Sequence, residues 1–193
     1  MNAGDAAVSR AAVPRAAAIR LVLLDVDGVL ADGHIVLGEH EELKRFHARD
    51  GFGITLLRAA GLEVGILTGR RCTAVTRRSV ELHLDHLIQG RPDKLAAFEE
   101  LCAARGFTAE QTCYMGDDWL DLPLLARVGL SAAPADAAGP VRARVHFVSE
   151  QPGGAGAVRE LAEYILKARG VYDTLLERYL KGQGEAASAQ QPH

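Results

Sequence analysis

The chain has 193 residues, of which 48% are hydrophobic and 24% charged, and its formal net charge is −3. These values are typical of a globular protein with a buried core, and the small negative charge argues against a nucleic-acid partner held by bulk electrostatics. No apolar run reaches the length of about 18 residues that a membrane span requires, so we expect no membrane association. Cys72, Cys102 and Cys113 fit neither a zinc site nor a disulfide framework, which predicts reduced thiols and a cytoplasmic location.

Both ends of the chain differ in composition from its middle. Residues 1–18 are alanine-rich and lack the apolar core of a secretory signal, so we expect a disordered extension there. A single domain is predicted over residues 19–181, and residues 182–193 are predicted to be a disordered polar tail. Within the domain, strand patterns alternate with helix patterns, which favours a three-layer, doubly wound α/β fold with a parallel sheet.

The first strand ends in a pair of aspartates. A nearly continuous apolar run over residues 19–24 predicts a buried parallel strand, and Asp25-Val26-Asp27-Gly28 follows it. Ligands of open α/β sheets bind beyond the carboxyl ends of the strands. Carboxylates at that place can bind a hard cation such as Mg²⁺, or act on phosphorus as a nucleophile and a general acid–base pair. The alternative is an ordinary turn with two solvated aspartates.

The next segments predict a hairpin and a helix. Two short extended runs flank a turn signal at Gly38, which predicts a β-hairpin over residues 32–46 that projects from the crevice. A helix is then predicted to open at Arg49-Asp50-Gly51, with Asp50 as its N-cap, and to end at Gly61.

Three later segments carry polar groups that we expect to lie in the same crevice. A strand over residues 62–68 ends in Thr68-Gly69-Arg70, a helix after Pro92 has Lys94 in its first turn, and a further strand ends in Gly116-Asp117-Asp118-Trp119-Leu120-Asp121. Each alone has an ordinary explanation: a strand-to-helix turn, a solvated lysine and a helix N-cap cluster. Together they suit phosphoryl transfer, in which positioning and charge neutralisation supply most of the catalysis. We expect Trp119 to pack behind this loop.

The end of the domain continues the alternation of strands and helices. Short strands are predicted near residues 87–88, 128–132 and 145–148. An amphipathic helix is predicted over residues 157–168, and a separate helix follows over residues 171–180.

The combined motifs resemble the haloacid dehalogenase-like superfamily of phosphatases. The matching stretches are Asp25-Val26-Asp27-Gly28-Val29, Leu67-Thr68-Gly69-Arg70, Lys94 and Gly116-Asp117-Asp118. Within it, the chain is most similar to the 3-deoxy-D-manno-octulosonate 8-phosphate phosphatases, through Arg49-Asp50-Gly51-Phe52-Gly53-Ile54, Arg78 with Glu81-Leu82, and the glycine-rich segment over residues 153–160. The resemblance covers about residues 19–168.

This resemblance implies a capless fold of Rossmann-like, haloacid dehalogenase type and a Mg²⁺-dependent phosphatase acting on a sugar-acid phosphate in lipopolysaccharide biosynthesis. It also implies a homotetramer in which the hairpin and the tail complete a neighbour's site. Asp25 would be the nucleophile and Asp27 the acid–base group. The implied sets are catalytic Asp25, Asp27, Thr68 and Lys94; metal-binding Asp25, Asp27 (through its carbonyl) and Asp117; and substrate-binding Asp27, His47, Ala48, Arg49, Asp50, Gly51, Arg70, Arg78 and Lys94.

Two alternatives to this function stay open at this point. One is a phosphatase for a nine-carbon, sialic-type acid phosphate, because Thr55 and His47-Ala48 depart from the commonest family pattern. The other is a catalytically inert scaffold or binding protein, against which the complete set of motif residues argues. The sequence assigns no role to Asp118 or Asp121.

Overall fold

The computed structural model describes residues 12–39 and 42–184. Within this part of the chain, six parallel strands form one sheet in the order β5-β4-β1-β6-β7-β8, and an antiparallel pair forms a hairpin. The strands are β1 (Leu21–Leu24), β2 (Val36–Leu37), β3 (Glu42–Leu43), β4 (Glu63–Thr68), β5 (His86–Gln89), β6 (Thr112–Met115), β7 (Leu130–Ala133) and β8 (Phe147–Val148).

Strand β1 occupies the middle of the sheet because it is apolar on both faces. All four of its residues are fully buried, and it pairs in parallel with β4 on one side and with β6 on the other. The chain builds β4 and β5 on one side of β1 before it crosses to the other side to form β6. This reversal of strand order places a crevice at the carboxyl end of β1, where ligands of doubly wound sheets bind.

Helices cover both faces of the sheet and confirm the predicted three-layer α/β architecture. The helices are α1 (Ala12–Ala17), α2 (Ala48–Ala59), α3 (Thr73–Glu81), α4 (Lys94–Arg105), α5 (Leu122–Leu125), α6 (Gly139–Arg142), α7 (Ala157–Ala168) and α8 (Tyr172–Leu180). Val22 and Leu24 point into a core shared with α1, α2 and α7, whereas Leu21 and Leu23 point into a core shared with α4, α5 and α6. None of the described helices is long and apolar enough to span a membrane.

The hairpin is present where the sequence predicts it. Val36 of β2 pairs with Leu43 of β3, and Ile35, Val36 and Leu37 each expose half or more of their surface. Among the described residues, the hairpin and α2 are the elements between β1 and β4, so no cap domain is inserted there.

The predicted disorder at the N-terminus is wrong for residues 12–18. Ala16 of α1 is fully buried against the core, and the Arg15 guanidinium donates to the Gly129 carbonyl at 3.1 Å. These contacts order α1 because they bury apolar surface that a free extension would expose. The rest of that extension lies outside the described residues. At the other end, residues 182–184 close the last turn of α8, and residues 185–193 lie outside the described part.

The predicted N-cap of α2 is also wrong. His47 occupies the N-cap position of that helix, and Asp50 lies inside its first turn. Asp50 is instead completely buried, with its carboxylate oxygens accepting from the backbone N–H of Gly156 at 3.1 Å and of Arg159 at 2.8 Å. Asp50 therefore caps the N-terminus of α7, a helix about a hundred residues further along the chain.

Candidate active site

A crevice of about 370 Å³ opens beyond the carboxyl ends of β1, β4 and β6. It brings together the predicted residues that follow these strands and the lysine that begins α4. The lining consists of Asp25, Asp27, Thr68, Gly69, Arg70, Pro92, Lys94, Asp117, Asp118, Leu120 and Asp121. Residues from four separate parts of the sequence thus meet at the place that the strand order predicts.

Two glycines allow the loops to close around the crevice. Gly28 has a positive φ of 79°, and a Cβ on it would overlap the Asp117 carboxylate. A Cβ on Gly153 would in turn overlap the Gly28 carbonyl oxygen. The loop after β1 therefore lies between the Asp117 loop and the glycine-rich segment, and a side chain at either glycine would push them apart.

Lys94 is the central cation of the crevice. Its ammonium donates to Asp25 Oδ2 at 2.6 Å, to Asp121 Oδ1 at 2.5 Å and to the Tyr114 hydroxyl at 3.1 Å. Burial alone would lower the Lys94 pKa, but the carboxylates of Asp25 and Asp121 outweigh burial and raise it. Lys94 therefore stays charged and neutralises part of the negative charge around it.

The Asp121 carboxylate fixes the loop after β6 by accepting four hydrogen bonds. Oδ1 accepts from Lys94 and from the Tyr114 hydroxyl at 2.6 Å, and Oδ2 accepts from the backbone N–H of Asp117 at 3.0 Å and of Asp118 at 3.2 Å. A carboxylate offers about four lone-pair sites, so these four bonds use them all. Asp121 is thus a positioning residue, a role that the sequence left open.

The remaining carboxylates fit a hard divalent cation. Ligand atoms of Asp25, Asp117 and Asp121 lie within 4.8 Å of one another, and since Asp121 is saturated, Asp25 and Asp117 are the two available to a cation. Burial raises the pKa of Asp25 to about 6, with Lys94 opposing the shift, and burial together with Asp25 and Asp121 raises the pKa of Asp117 to about 7. Burial thus opposes ionisation of both carboxyl groups, and a bound Mg²⁺ would offset that cost by favouring their charged forms.

The Asp27 side chain has a different set of partners, which the sequence did not predict. Lys44, just after β3, donates to Asp27 Oδ1 at 2.5 Å and to Glu42 Oε1 at 2.6 Å. The Arg70 guanidinium donates to Glu42 Oε2 at 2.6 Å, and its Nε lies 3.7 Å from Asp27 Oδ2. The hairpin therefore reaches back to the end of β1, and no local motif around Lys44 signals this return.

The other predicted substrate residues do not line the crevice of a single chain. Arg49 lines a separate cavity beside α7, and Arg78 packs over the Phe46 ring at 5.7 Å and pairs with Glu81. His47, Ala48 and Gly51 lie in or beside the first turn of α2, and the lack of a Cβ on Gly51 leaves room for the Arg78 guanidinium. Their substrate contacts stay a prediction.

The structure corrects two expectations about single residues. The predicted substrate contact of Asp50 is wrong, because that carboxylate is fully buried and binds the backbone of α7. The expected packing of Trp119 behind the loop is also wrong. Trp119 is 64% exposed and its neighbour Leu120 is 75% exposed, because the turn of 3₁₀ helix over Trp119–Asp121 points Asp121 inward and its other two residues outward.

Comparison with known proteins gives close relatives over most of the chain. No protein-family model matches the sequence. The chain is 47% identical over 158 residues to the 3-deoxy-D-manno-octulosonate 8-phosphate phosphatase KdsC of Yersinia pestis, a match that covers 81% of this chain and 84% of the relative. It is 44% identical over 167 residues to KdsC of Escherichia coli strain K12, covering 86% and 89% of the two chains.

A solved structure of similar fold carries ligands. The crystal structure of 3-deoxy-D-manno-octulosonate 8-phosphate phosphatase from Moraxella catarrhalis, in complex with a magnesium ion, a phosphate ion and KDO, has a TM-score of 0.84 to this chain. The two sequences are 36% identical, and the match covers 86% of this chain and 97% of that one.

Proposed function

The chain belongs to the family of 3-deoxy-D-manno-octulosonate 8-phosphate phosphatases within the haloacid dehalogenase-like superfamily, and we propose that it hydrolyses this sugar-acid phosphate through an aspartyl-phosphate on Asp25. The family consists of phosphoric monoester hydrolases. The observation that carries the proposal is the crevice in which Asp25, Asp27, Lys94 and Asp117 meet at the end of β1. An inert scaffold would have no need of this complete set.

Mg²⁺ is the proposed cofactor, held by the carboxylates of Asp25 and Asp117 and by the Asp27 carbonyl. When bound, it would neutralise phosphate charge and orient the phosphoryl group for attack. The M. catarrhalis relative binds magnesium, and the oxygen-only donor set here suits the same ion.

The reaction assigns one task to each residue. An Asp25 oxygen bonds to phosphorus while the ester P–O bond breaks, and the leaving sugar oxygen takes a proton from Asp27. Water then gives a proton back to Asp27 as its oxygen bonds to phosphorus, and the bond between phosphorus and Asp25 breaks. Lys94 neutralises charge beside Asp25, and the hydroxyl of Thr68 binds phosphate oxygens.

The proposed setting is the cytoplasmic supply of free sugar acid for lipopolysaccharide biosynthesis. We further propose that the chain forms a closed homotetramer, since a capless crevice is open and the exposed apolar residues of the hairpin need a partner surface. Neighbouring copies would bring the predicted substrate residues around His47 and Arg78 to the crevice.

Phosphate release from two substrates tests the proposed function. The wild-type protein is assayed with the eight-carbon sugar-acid 8-phosphate and with a nine-carbon sialic-type acid 9-phosphate, each with Mg²⁺ and with chelator. We expect Mg²⁺-dependent turnover and a kcat/KM at least about tenfold higher for the eight-carbon substrate, a difference of about 1.4 kcal/mol in transition-state binding. A preference for the nine-carbon substrate would instead support the sialic-type alternative, and no release from either would support the inert scaffold.

A further inference from the structure

Among the described charged residues of the hairpin, Lys44 has the most deeply buried side chain. It follows β3 in an element whose apolar residues are largely exposed, yet only 1% of the Lys44 side chain is accessible. Its ammonium lies between the carboxylates of Asp27 and Glu42, at 2.5 Å and 2.6 Å. A buried ammonium is costly unless it is paired, so these two ion pairs decide where the side chain can lie.

The contact with Asp27 is directional. Lys44 binds Oδ1 of that carboxyl group, whereas the Arg70 Nε lies 3.7 Å from Oδ2, beyond hydrogen-bond distance. One oxygen is therefore anchored and the other is left for the reacting groups. Lys44 itself is not among the described residues that line the crevice, so it reaches the reaction through Asp27.

Glu42 is the second partner of Lys44 and is itself fixed by Arg70. Glu42 accepts from Lys44 through Oε1 and from Arg70 through Oε2, and Arg70 follows the end of β4. Both carboxylate oxygens of Glu42 are thus engaged by cations from two different elements. The Lys44 ammonium is bound both by Glu42 of the hairpin and by Asp27 after β1, and Arg70 after β4 fixes Glu42 in turn. These contacts restrict rotation of the Asp27 side chain.

We propose that Lys44 is a positioning residue that holds the Asp27 carboxyl group in the orientation needed for proton transfer to the leaving oxygen. This inference rests on the proposed function, because it assumes that Asp27 protonates the leaving group as the ester bond breaks. Lys44 forms no bond to substrate and moves no proton itself. Its position on the hairpin also makes the geometry of Asp27 depend on how the hairpin packs.

The dependence of rate on the leaving group tests this role. An alkoxide leaving group needs a proton from the enzyme, whereas p-nitrophenolate leaves readily without one. Formation of the aspartyl-phosphate is compared through kcat/KM, because the later attack by water is common to both substrates and also uses Asp27. In the variant Lys44→Met, which keeps the length and removes the charge, we expect kcat/KM for the sugar-acid phosphate to fall about 10²-fold, the lower end of what general acid catalysis contributes. We expect kcat/KM for p-nitrophenyl phosphate to fall less than about tenfold, and Asp27→Asn to show the same selectivity.

A matched control lies next to Lys44 in the hairpin. The Arg45 side chain is 80% exposed and pairs with Asp32, so Arg45→Gln removes a hairpin ion pair that does not involve Asp27. We expect it to change kcat for both substrates less than about twofold, as for a surface substitution. Lys44→Arg keeps the positive charge and changes its geometry, so it should show the same leaving-group selectivity with a smaller loss of rate. It therefore provides the test if Lys44→Met fails to fold.

The outcomes separate the inference from the proposed function. If wild-type protein and Asp27→Asn behave as expected but Lys44→Met, or Lys44→Arg where Lys44→Met does not fold, loses kcat/KM equally for both substrates, Lys44 does not act through Asp27. A rise in KM with unchanged kcat would mean that Lys44 binds substrate and would likewise overturn the inference. If wild-type protein releases phosphate from neither substrate, the proposed function itself fails.

Discussion

Burial in the crevice opposes ionisation of Asp25 and Asp117. The buried ammonium of Lys94 lies beside them and donates to Asp25 and to Asp121. The pKa of Asp25 is raised to about 6 and that of Asp117 to about 7, chiefly by burial. A raised folded-state pKa means that the folded protein binds more protons than the unfolded chain. These two groups therefore stabilise the fold at low pH, and that contribution is lost as pH rises through 6 and 7.

The first prediction concerns Mg²⁺ and pH. At pH 8 both carboxylates are ionised and available to the cation, whereas at pH 5 protons compete for them. We expect a Mg²⁺ concentration of about 100 times the Kd at pH 8 to raise Tm by roughly 5–10 °C at pH 8, and the same concentration to raise Tm by less than half of that at pH 5. Differential scanning fluorimetry over this pH range measures both shifts.

Two variants make the Mg²⁺ measurement specific. Asp117→Asn should abolish most of the Tm shift at pH 8, because it removes one of the two carboxylates available to the ion. Asp173→Asn, on the exposed side of α8, should retain the full shift. Equal shifts at pH 5 and pH 8, or a full shift in Asp117→Asn, would contradict the assignment of the cation site.

The location of a site residue was predictable where the residue belongs to a short motif at the end of a strand or the start of a helix. Asp25, Asp27, Thr68, Lys94 and Asp117 each follow or begin a regular element, so the sequence placed them at one edge of the sheet. The partners of Asp27 were not predictable. Lys44 and Glu42 reach the site because the hairpin folds back onto the end of β1. The bond between Lys44 and Asp27 joins residues 17 positions apart in sequence, a contact that no local periodicity encodes.

Helix α7 depends on a residue from another helix at its N-terminus. Its N-cap position is Gly156, with a φ of 122°, which offers no side chain to the free backbone N–H groups. The Asp50 carboxylate accepts from two of them and lies at the positive end of the helix dipole. This contact joins α2 to α7, whose buried faces form one core with β1.

The second prediction is that Asp50→Ala lowers stability more than activity. Loss of a cap that satisfies two buried N–H groups should reduce the free energy of unfolding by about 1–3 kcal/mol. Urea denaturation measures this loss, and the control Asp173→Ala, an exposed acid in the first turn of α8, should change the free energy by about 0.5 kcal/mol or less. A raised KM with unchanged stability would restore the substrate role that the family resemblance implied for Asp50.

Elements and their contacts were predictable to different extents. The alternation of apolar runs and amphipathic segments predicted the sheet, the hairpin and α7 closely, because each is encoded within a few residues. The cap of α7 was not predictable, since its donor and acceptor are separated by 106 residues in sequence. Helix α1 was also missed, because Ala16, the buried residue among positions 13–17, gives almost no amphipathic signal.

At the scale of the whole molecule, apolar side chains remain exposed on two surfaces near the crevice. Leu37 of the hairpin is 78% exposed, and Trp119 and Leu120 beside the crevice are 64% and 75% exposed. Leu176 and Leu180 of α8 add a third exposed apolar surface. Exposed large apolar residues grouped on one element are a feature of surfaces through which subunits associate.

The third prediction is that the hairpin drives assembly. The double variant Val36→Glu and Leu37→Glu places charge on the exposed ribbon without touching the core, so it should convert the proposed tetramer into smaller species. We expect KM for the sugar-acid phosphate to rise about tenfold, since the walls supplied by neighbours would be lost. Light scattering coupled to gel filtration measures the mass.

A control for the assembly experiment uses exposed apolar residues away from the hairpin. Val13 of α1 is 44% exposed and precedes the amino end of β1, at the opposite edge of the sheet from the crevice, so Val13→Glu should leave both mass and KM unchanged. A wild-type protein that is monomeric and fully active at nanomolar concentration would contradict the proposed assembly.

The central claim is that Asp25 carries the phosphoryl group during turnover. Wild-type protein is mixed with Mg²⁺ and the eight-carbon sugar-acid phosphate, quenched in acid during steady-state turnover, digested and analysed by mass spectrometry. We expect a phosphorylated peptide with the modification on Asp25, its absence without substrate, and neither phosphopeptide nor turnover in a folded Asp25→Asn variant. Ready turnover by Asp25→Asn, or a phosphoryl group on another residue, would contradict it.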